Sequence, residues 1–347
     1  VYDNDRHPGD ADRYAEYEAA FADEHQDRRE RRKRKPKAAH QPKKAAAAVV
    51  RDIAQTDGLE GGFETTYKLS LYEETFLRES LRPFYERALI CDVEAIVKGG
   101  KEANVYRCTA HPAFAARTGQ TQLAAKVYRP RMFRSLRNDA AYREGRALLT
   151  EEGRAVKERD QRLKRAVRDK TDMGAQLMHT SWLMYEHTTL QTLFAAGASV
   201  PEPVSSAPNA LLMAYIGEPT LAAPPLAAVA LERDEAAAHF DAYLHMQHTL
   251  CAHGLIHGDL SPYNVLFWRD RLVFIDFPQV VEGRSNPHAE TILARDVARM
   301  CAYFAAHDVR AAANPEALAA LFWGRYFARE RRYAEADYSR ITAQDDE

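Results

Sequence analysis

Residues 257–264 read HGDLSPYN, a histidine, an aspartate and an asparagine on one short polar stretch, and the apolar run LVFID ends in a further aspartate at Asp276. Between them NVLF (264–267), WRDR (268–271) and LVFID (272–276) read as strand, turn, strand. If the strands pair antiparallel about that turn, Phe267 faces Leu272 and Asn264 faces Ile275, which brings Asp276 beside Asn264. A carboxylate and an amide oxygen that converge are hard ligands of the kind Mg²⁺ takes when it carries a nucleotide phosphate. Asp259 stands five residues before Asn264. That Asp-x-x-x-x-Asn spacing agrees with a phosphotransferase loop, in which the aspartate orients or deprotonates the acceptor hydroxyl and the asparagine holds metal. Taken singly, Asp259 or Asn264 reads as a turn cap bonding its own backbone; the company of Asp276 in an apolar strand is what points to chemistry. His257 reads as a brace for the loop rather than a proton carrier.

Phosphoryl transfer also needs a phosphate cradle and a cation, and the amino-terminal half offers both. In GGKEAN (99–104) two glycines remove steric bulk, so that backbone N–H groups can approach phosphates at a strand turn. A glycine pair in a hairpin is more often only a turn. The pattern GxxxxGK[ST] is absent, which disfavours a P-loop NTPase. Lys126 lies within the apolar strand LAAKVY, where an unpaired ammonium is costly to bury. Glu186, on the helix that follows, is the expected partner, and a Lys–Glu pair aimed at nucleotide phosphates is the arrangement kinases use. The competing reading of Lys126 is a side chain snorkelling from an edge strand.

The elements that must position these residues follow from the pattern around them. Residues 1–58 are polar and charged without a sustained apolar stripe and read as a disordered or partly helical arm, with a basic run, RRERRKRKPKAAHQPKK, at 28–44. Helical spacing from Tyr67 to Leu89 predicts one or two helices, and the runs at 95–108 and 121–130 predict a strand, a tight turn and two further strands. The charged stretch 150–172 reads as a mobile loop or a solvated helix. A helix over 181–197 stops at Gly197, NALLMAYIG (209–217) reads as a buried strand, and 219–232 crosses a domain boundary. A helix over 234–253 is capped by Gly254 and feeds directly into HGDLSPYN. The expected organisation is the arm at 1–58, one unit at 59–217 and a second at 218–347. The aromatic run ALAALFWGRYFARERRYAEADY is expected to pack amphipathically onto the second unit.

Over 347 residues, 46% hydrophobic content supplies a sizeable core, and the net charge of −2 conceals the basic run. Four cysteines without a CxxC pair point away from structural zinc and from a disulfide framework, and suit reduced thiols in a cytoplasm. No apolar run is long enough to span a bilayer, so no membrane association is expected.

Taken together and in order, GGKEANVY, AAKVY, LLMAYIG, HGDLSPYNVL and IDFPQVV resemble the phosphate loop, lysine strand, hinge, catalytic loop and metal loop of the RIO family of atypical serine/threonine protein kinases, over about residues 60–305. The alanine- and arginine-rich composition suits a bacterial member as well as it does an archaeal or eukaryotic one. The resemblance implies an α+β, two-lobed protein-kinase-like fold with a small β-rich N-lobe, a mainly helical C-lobe and ATP between them. It implies that Gly99, Gly100, Lys101, Glu102, Ala103, Asn104 and Val105 line the phosphates and that Lys126, paired with Glu186, contacts them. Met213 would lie behind the adenine, with the Ala214 and Ile216 backbones bonding the base. Asp259 would be the catalytic aspartate, Asn264 and Asp276 would bind Mg²⁺, Asp296 would brace the loop, and Asp276 is a candidate phosphoacceptor.

Several features depart from ordinary kinases. Gly258 stands where they carry arginine, Phe277-Pro278 follows Asp276, and Asp296 comes twenty positions after Asp276 with no Ala-Pro-Glu between them. A full activation segment that docks a peptide is therefore not expected. The function so implied is a Mg²⁺-ATP-dependent kinase or ATPase acting on an unidentified protein. Two alternatives stay open: a small-molecule phosphotransferase, since sugar and antibiotic kinases share HGDL-x-x-x-N loops, and a nucleotide-switched factor whose basic arm binds RNA or a ribosomal particle.

Overall fold

Burial of one face of a sheet against a helix organises the amino-terminal half of the computed structural model, which describes residues 64–66, 71–100, 103–128, 142, 144–157, 160–169 and 171–328. All of these belong to one compact unit, Leu59–Glu347. The arm at 1–58 with its basic run, Lys101 and Glu102 of the glycine turn, and residues 329–347 of the carboxy-terminal run lie outside the described residues.

The chain runs through β1 (Glu64–Thr65), α1 (Leu71–Glu86), β2 (Ile90–Gly99), β3 (Ala103–Ala110), α2 (Pro112–Thr118) and β4 (Gln122–Tyr128), then α3 (Gln161–Arg168), α4 (Asp172–Ala195), β5 (Pro203–Ala207) and β6 (Ala210–Ala214). Six strands form one sheet in the order β1-β2-β3-β4-β6-β5. Its pairs are antiparallel except β1 with β2. On α1, Leu77, Leu81 and Phe84 recur at helical spacing and bury against Ile90, Val93, Tyr106 and Leu212 of the sheet. The helical spacing expected at 67–89 thus yields one helix, and the expected strand, turn and two strands are β2, β3 and β4.

The second half continues with β7 (Gly217–Glu218), β8 (Leu221–Ala222), α5 (Arg233–Ala252), β9 (Leu255–Ile256), β10 (Val265–Phe267), β11 (Leu272–Phe274), β12 (Val281–Glu282), α6 (Ala289–Ala305) and α7 (Pro315–Tyr326). Its strands are short and paired two by two, so helices carry the core. Phe240, Tyr243 and Leu250 of α5 meet Met300 and Phe304 of α6 and Phe322 of α7. A sheet-rich first half and a mainly helical second half make the expected α+β architecture, β-rich at the amino-terminal side and mainly helical beyond it.

One alternative left open by the sequence is decided as a solvated helix, and one element differs from the expectation. The stretch 150–172 contains α3, whose arginines and lysine are exposed and which buries only Ala166; its charge marks a solvated face. The helix α4 begins at Asp172, ahead of the expected 181, because Thr171 accepts the Gly174 N–H at 3.2 Å and caps it. One helix then serves two cores: Trp182, Leu183 and Met184 pack with Tyr128 and Leu211 of the sheet, and Leu190 and Leu193 pack with the helices of the second half. Among the described residues, no helix is long and apolar enough to cross a membrane.

Candidate active site

Lys126 sits on β4, which is flanked by β3 and β6, so it is not on an edge strand and the snorkelling reading falls. Its Nζ lies 2.7 and 3.0 Å from the two carboxylate oxygens of Glu186 and 2.5 Å from Oδ1 of Asp276. The Glu186 side chain is 1% exposed, that of Lys126 12% and that of Asp276 38%. A charge as deeply placed as Glu186 is tolerable only when paired and hydrogen-bonded, and the Tyr128 hydroxyl gives Glu186 a second donor. Burial alone would lower the pKa of Lys126, but the carboxylates of Asp276 and Glu186 outweigh it and hold the ammonium well above its usual range. For Asp276 burial pulls upward, and Lys126, by charge and hydrogen bond, overcomes it, so that its carboxyl is held below the usual value. Tyr128, two residues after Lys126 on the same face of the strand, went unread in the sequence; that spacing was its signal.

The hairpin that delivers Asp276 has the expected register. Phe267 faces Leu272, and the Ile275 N–H donates to the Asn264 carbonyl at 3.0 Å. Asp276 then takes a φ of 72°, a left-handed conformation that a non-glycine residue holds only when its surroundings enforce it. Its carboxylate goes to Lys126. The amide nitrogen of Asn264 donates to Asp259, at 2.9 Å to the carbonyl and 3.2 Å to Oδ2, and the amide oxygen Oδ1 is the atom a hard cation would take.

Asp259 Oδ1 accepts from Arg299 Nη1 at 2.8 Å. Burial raises the pKa of Asp259; Arg299 opposes the rise, and the charges of Asp296 and Asp276 add to it. Arg299 was also unread, although it stands three residues after Asp296 in ARDVARM and so shares its helix face. Asp296 accepts the Gly258 N–H at 2.8 Å, and Arg295 donates to the Gly258 carbonyl. Gly258 has a φ of 87°, and a side chain there would collide with the Gln279 carbonyl; the arginine of ordinary kinases has no room. His257 bonds the Ile275 carbonyl through Nε2 at 3.1 Å, accepts the Asp259 N–H through Nδ1 at 3.4 Å and lies against Phe277. It braces the loop.

Above these groups, Gly99 pairs with Asn104 across β2 and β3, and the Gly100 N–H donates to Asn104 Oδ1 at 3.3 Å. Val105 lies opposite Lys126 and Ala103 opposite Tyr128, so the glycine turn closes beside the lysine. Met213 lies on β6 opposite Ala124. The Ala214 N–H donates to the Glu202 carbonyl at 2.8 Å, and the Ile216 carbonyl accepts from Ala223 at 3.1 Å. A base at this strand end would therefore meet the Ala214 carbonyl and the Ile216 N–H. Among the described residues no cluster of three or more His, Cys, Asp or Glu could cage a metal. A Mg²⁺ ion, which takes one or two protein oxygens and completes its octahedron with phosphate and water, does not require such a cluster.

A family model described as RIO domain matches residues 147–317. Among curated relatives, the RIO-type serine/threonine-protein kinase Rio1 of Thermoplasma acidophilum is 34% identical over 128 residues, covering 37% of this chain and 66% of that protein. The Rio1 kinase of Haloferax volcanii is 30% identical over 210 residues, covering 60% and 61%. The chain thus spans less than two thirds of either relative. A solved Rio2 kinase-ADP/Mg²⁺-phosphoaspartate complex from Chaetomium thermophilum is 20% identical with a TM-score of 0.47, over 76% of this chain and 70% of that one.

Proposed function

We propose that this chain, whose residues 147–317 match the RIO domain model, is a Mg²⁺-ATP-dependent serine/threonine kinase or ATPase of the RIO family. It would move the γ-phosphoryl group of ATP to a protein hydroxyl, to water or to the carboxylate of Asp276. The observation that carries this reading is the meeting of Lys126 with both Glu186 and Asp276, from β4, α4 and the end of the β10–β11 hairpin. An ammonium held charged between two carboxylates is a fixed counter-charge for nucleotide phosphates.

In this reading the turn from Gly99 to Val105 covers the phosphates, Lys126 contacts them, and Glu186 and Tyr128 hold Lys126 in place. Met213 lies behind the adenine, which is bonded by the Ala214 carbonyl and the Ile216 N–H. Asn264 Oδ1 and the Asp276 carboxylate hold Mg²⁺, which when bound neutralises charge on the phosphate oxygens. Asp259 orients the acceptor hydroxyl and takes its proton as the new P–O bond forms and ADP leaves with the electrons of the old one. A place in the cytoplasm and an association with RNA or a ribosomal particle complete the proposal. The latter is supported by the basic run at 28–44 alone.

The test is turnover of γ-labelled ATP by wild type, Asp259→Ala and Asp276→Ala, following free phosphate and labelled protein separately. Both variants should lose on the order of 10²-fold or more, the scale of a general acid or base. Undiminished turnover in Asp276→Ala would overturn the proposal. Label appearing on an added sugar or aminoglycoside rather than on protein would favour the small-molecule phosphotransferase.

A further inference from the structure

Only thirteen positions separate Asp276 from the start of α6 at Ala289, so no long segment is available to hold the residues that follow the aspartate. Something else must fix them, because Asp276 holds a left-handed backbone conformation that relaxes unless its neighbours over-determine it. Phe277 is anchored in the core and β12 pairs with β9. A further contact comes from far away in sequence. Both terminal nitrogens of Arg146 lie 3.1 Å from the Pro278 carbonyl, and Nη2 also donates to the Val280 carbonyl.

The same short stretch is tied to the helix that carries Glu186. The Arg146 guanidinium lies over the Tyr185 ring, 4.9 Å from its centroid, and the Tyr185 hydroxyl donates to the Ala147 carbonyl at 2.8 Å. Asn286 holds the Glu144 carbonyl at 3.0 Å, and Gly145 runs so close to the Ser285 backbone that a side chain has no space. Residues 144–147 therefore bridge α4, one residue from Glu186, and the stretch after Asp276. Those are the two carboxylates that share Lys126. A planar guanidinium can hold two carbonyls and stack on a ring at once, whereas an ammonium on a flexible stem cannot.

We propose that Arg146 is a positioning residue: by joining Tyr185 to the Pro278 and Val280 carbonyls it sets Asp276 against Glu186 and Lys126, and does permanently what an activation segment does in longer kinases. The inference rests on the reading of Asp276 as the metal-loop aspartate.

The experiment uses the full chain as wild type, Arg146→Ala, Arg146→Lys and Tyr185→Phe, with kcat and KM for Mg²⁺-ATP and amide hydrogen exchange over 277–282. Arg146→Ala should lower kcat ~10- to 100-fold, the cost of an ångström-scale misplacement, while KM changes far less. Exchange at 277–282 should accelerate while α5 keeps its protection. Arg146→Lys should recover only part of either signal, and Tyr185→Phe should move both in the same direction by less. Wild-type kcat and wild-type exchange in Arg146→Ala would overturn the inference, as would full recovery of both by lysine. If wild type itself turned over no ATP, the functional reading would fail and the exchange data would still decide the role of Arg146. Should Arg146→Ala not fold, Tyr185→Phe, which removes a single hydroxyl, decides by the same readouts.

Discussion

Glu186 and Lys126, 1% and 12% exposed, would each be unfavourable where they stand without a counter-charge. Substituting Lys126 by Met leaves Glu186, 1% exposed, with the Tyr128 hydroxyl as its donor and no counter-charge. Loss of one partner from a buried pair should cost about 3 kcal/mol in urea unfolding. Adding Glu186→Gln to Lys126→Met should restore much of that stability and none of the ATP turnover. Asp259 supplies a second prediction. Burial lifts its pKa above the ordinary 3.8 despite Arg299. The ionised form is the one that accepts a proton, so turnover should fall as pH drops through that raised value. A pH–rate profile whose acid limb lay at or below the ordinary carboxylate value would contradict the assignment.

At the scale of elements, the site is built where loops are locked by close backbone packing. Gly258→Ala must accommodate a side chain at a φ of 87° against the Gln279 carbonyl. It should destabilise the protein by about 1–3 kcal/mol, the range for forced backbone conformations. Because the loop it deforms carries Asp259, turnover should fall more than thermal stability does. Thr171 caps α4 through the Gly174 N–H at 3.2 Å, and Thr171→Ala should cost about 1 kcal/mol. Its effect on kcat should be small, because Glu186 lies four turns along the helix and is held by Lys126 and Tyr128 from the sheet.

Across the whole molecule, the helix α7 contributes Phe322 and Trp323 to the same core as Phe240, Tyr243 and Phe304. The amphipathic packing expected of the carboxy-terminal run is thus seen over Pro315–Tyr326. Phe322 is fully buried, so Phe322→Ala should cost about 3–5 kcal/mol on thermal or urea unfolding. The lobe that presents Asp259 and Asn264 should lose stability with it. Nucleotide affinity measured below the unfolding transition should be retained.

Residue types and spacing were enough to single out Lys126, Glu186, Asp259, Asn264 and Asp276 as candidates, to expect the pairing of Lys126 with Glu186 and to set the hairpin register. Each depends on local periodicity or on a charge placed where an apolar strand forbids it, and both are written along the chain. The order of strands and helices was legible for the same reason, because alternation and helical spacing report which face is buried. Arg299 on Asp259, Tyr128 on Glu186 and Arg146 on the Pro278 and Val280 carbonyls were decided only by the tertiary structure. Arginine and tyrosine reach far from their backbones, and on a sequence each reads as an ordinary surface or core residue. Which carboxylate or carbonyl they meet depends on how strands, helices and loops distant in the chain are brought face to face.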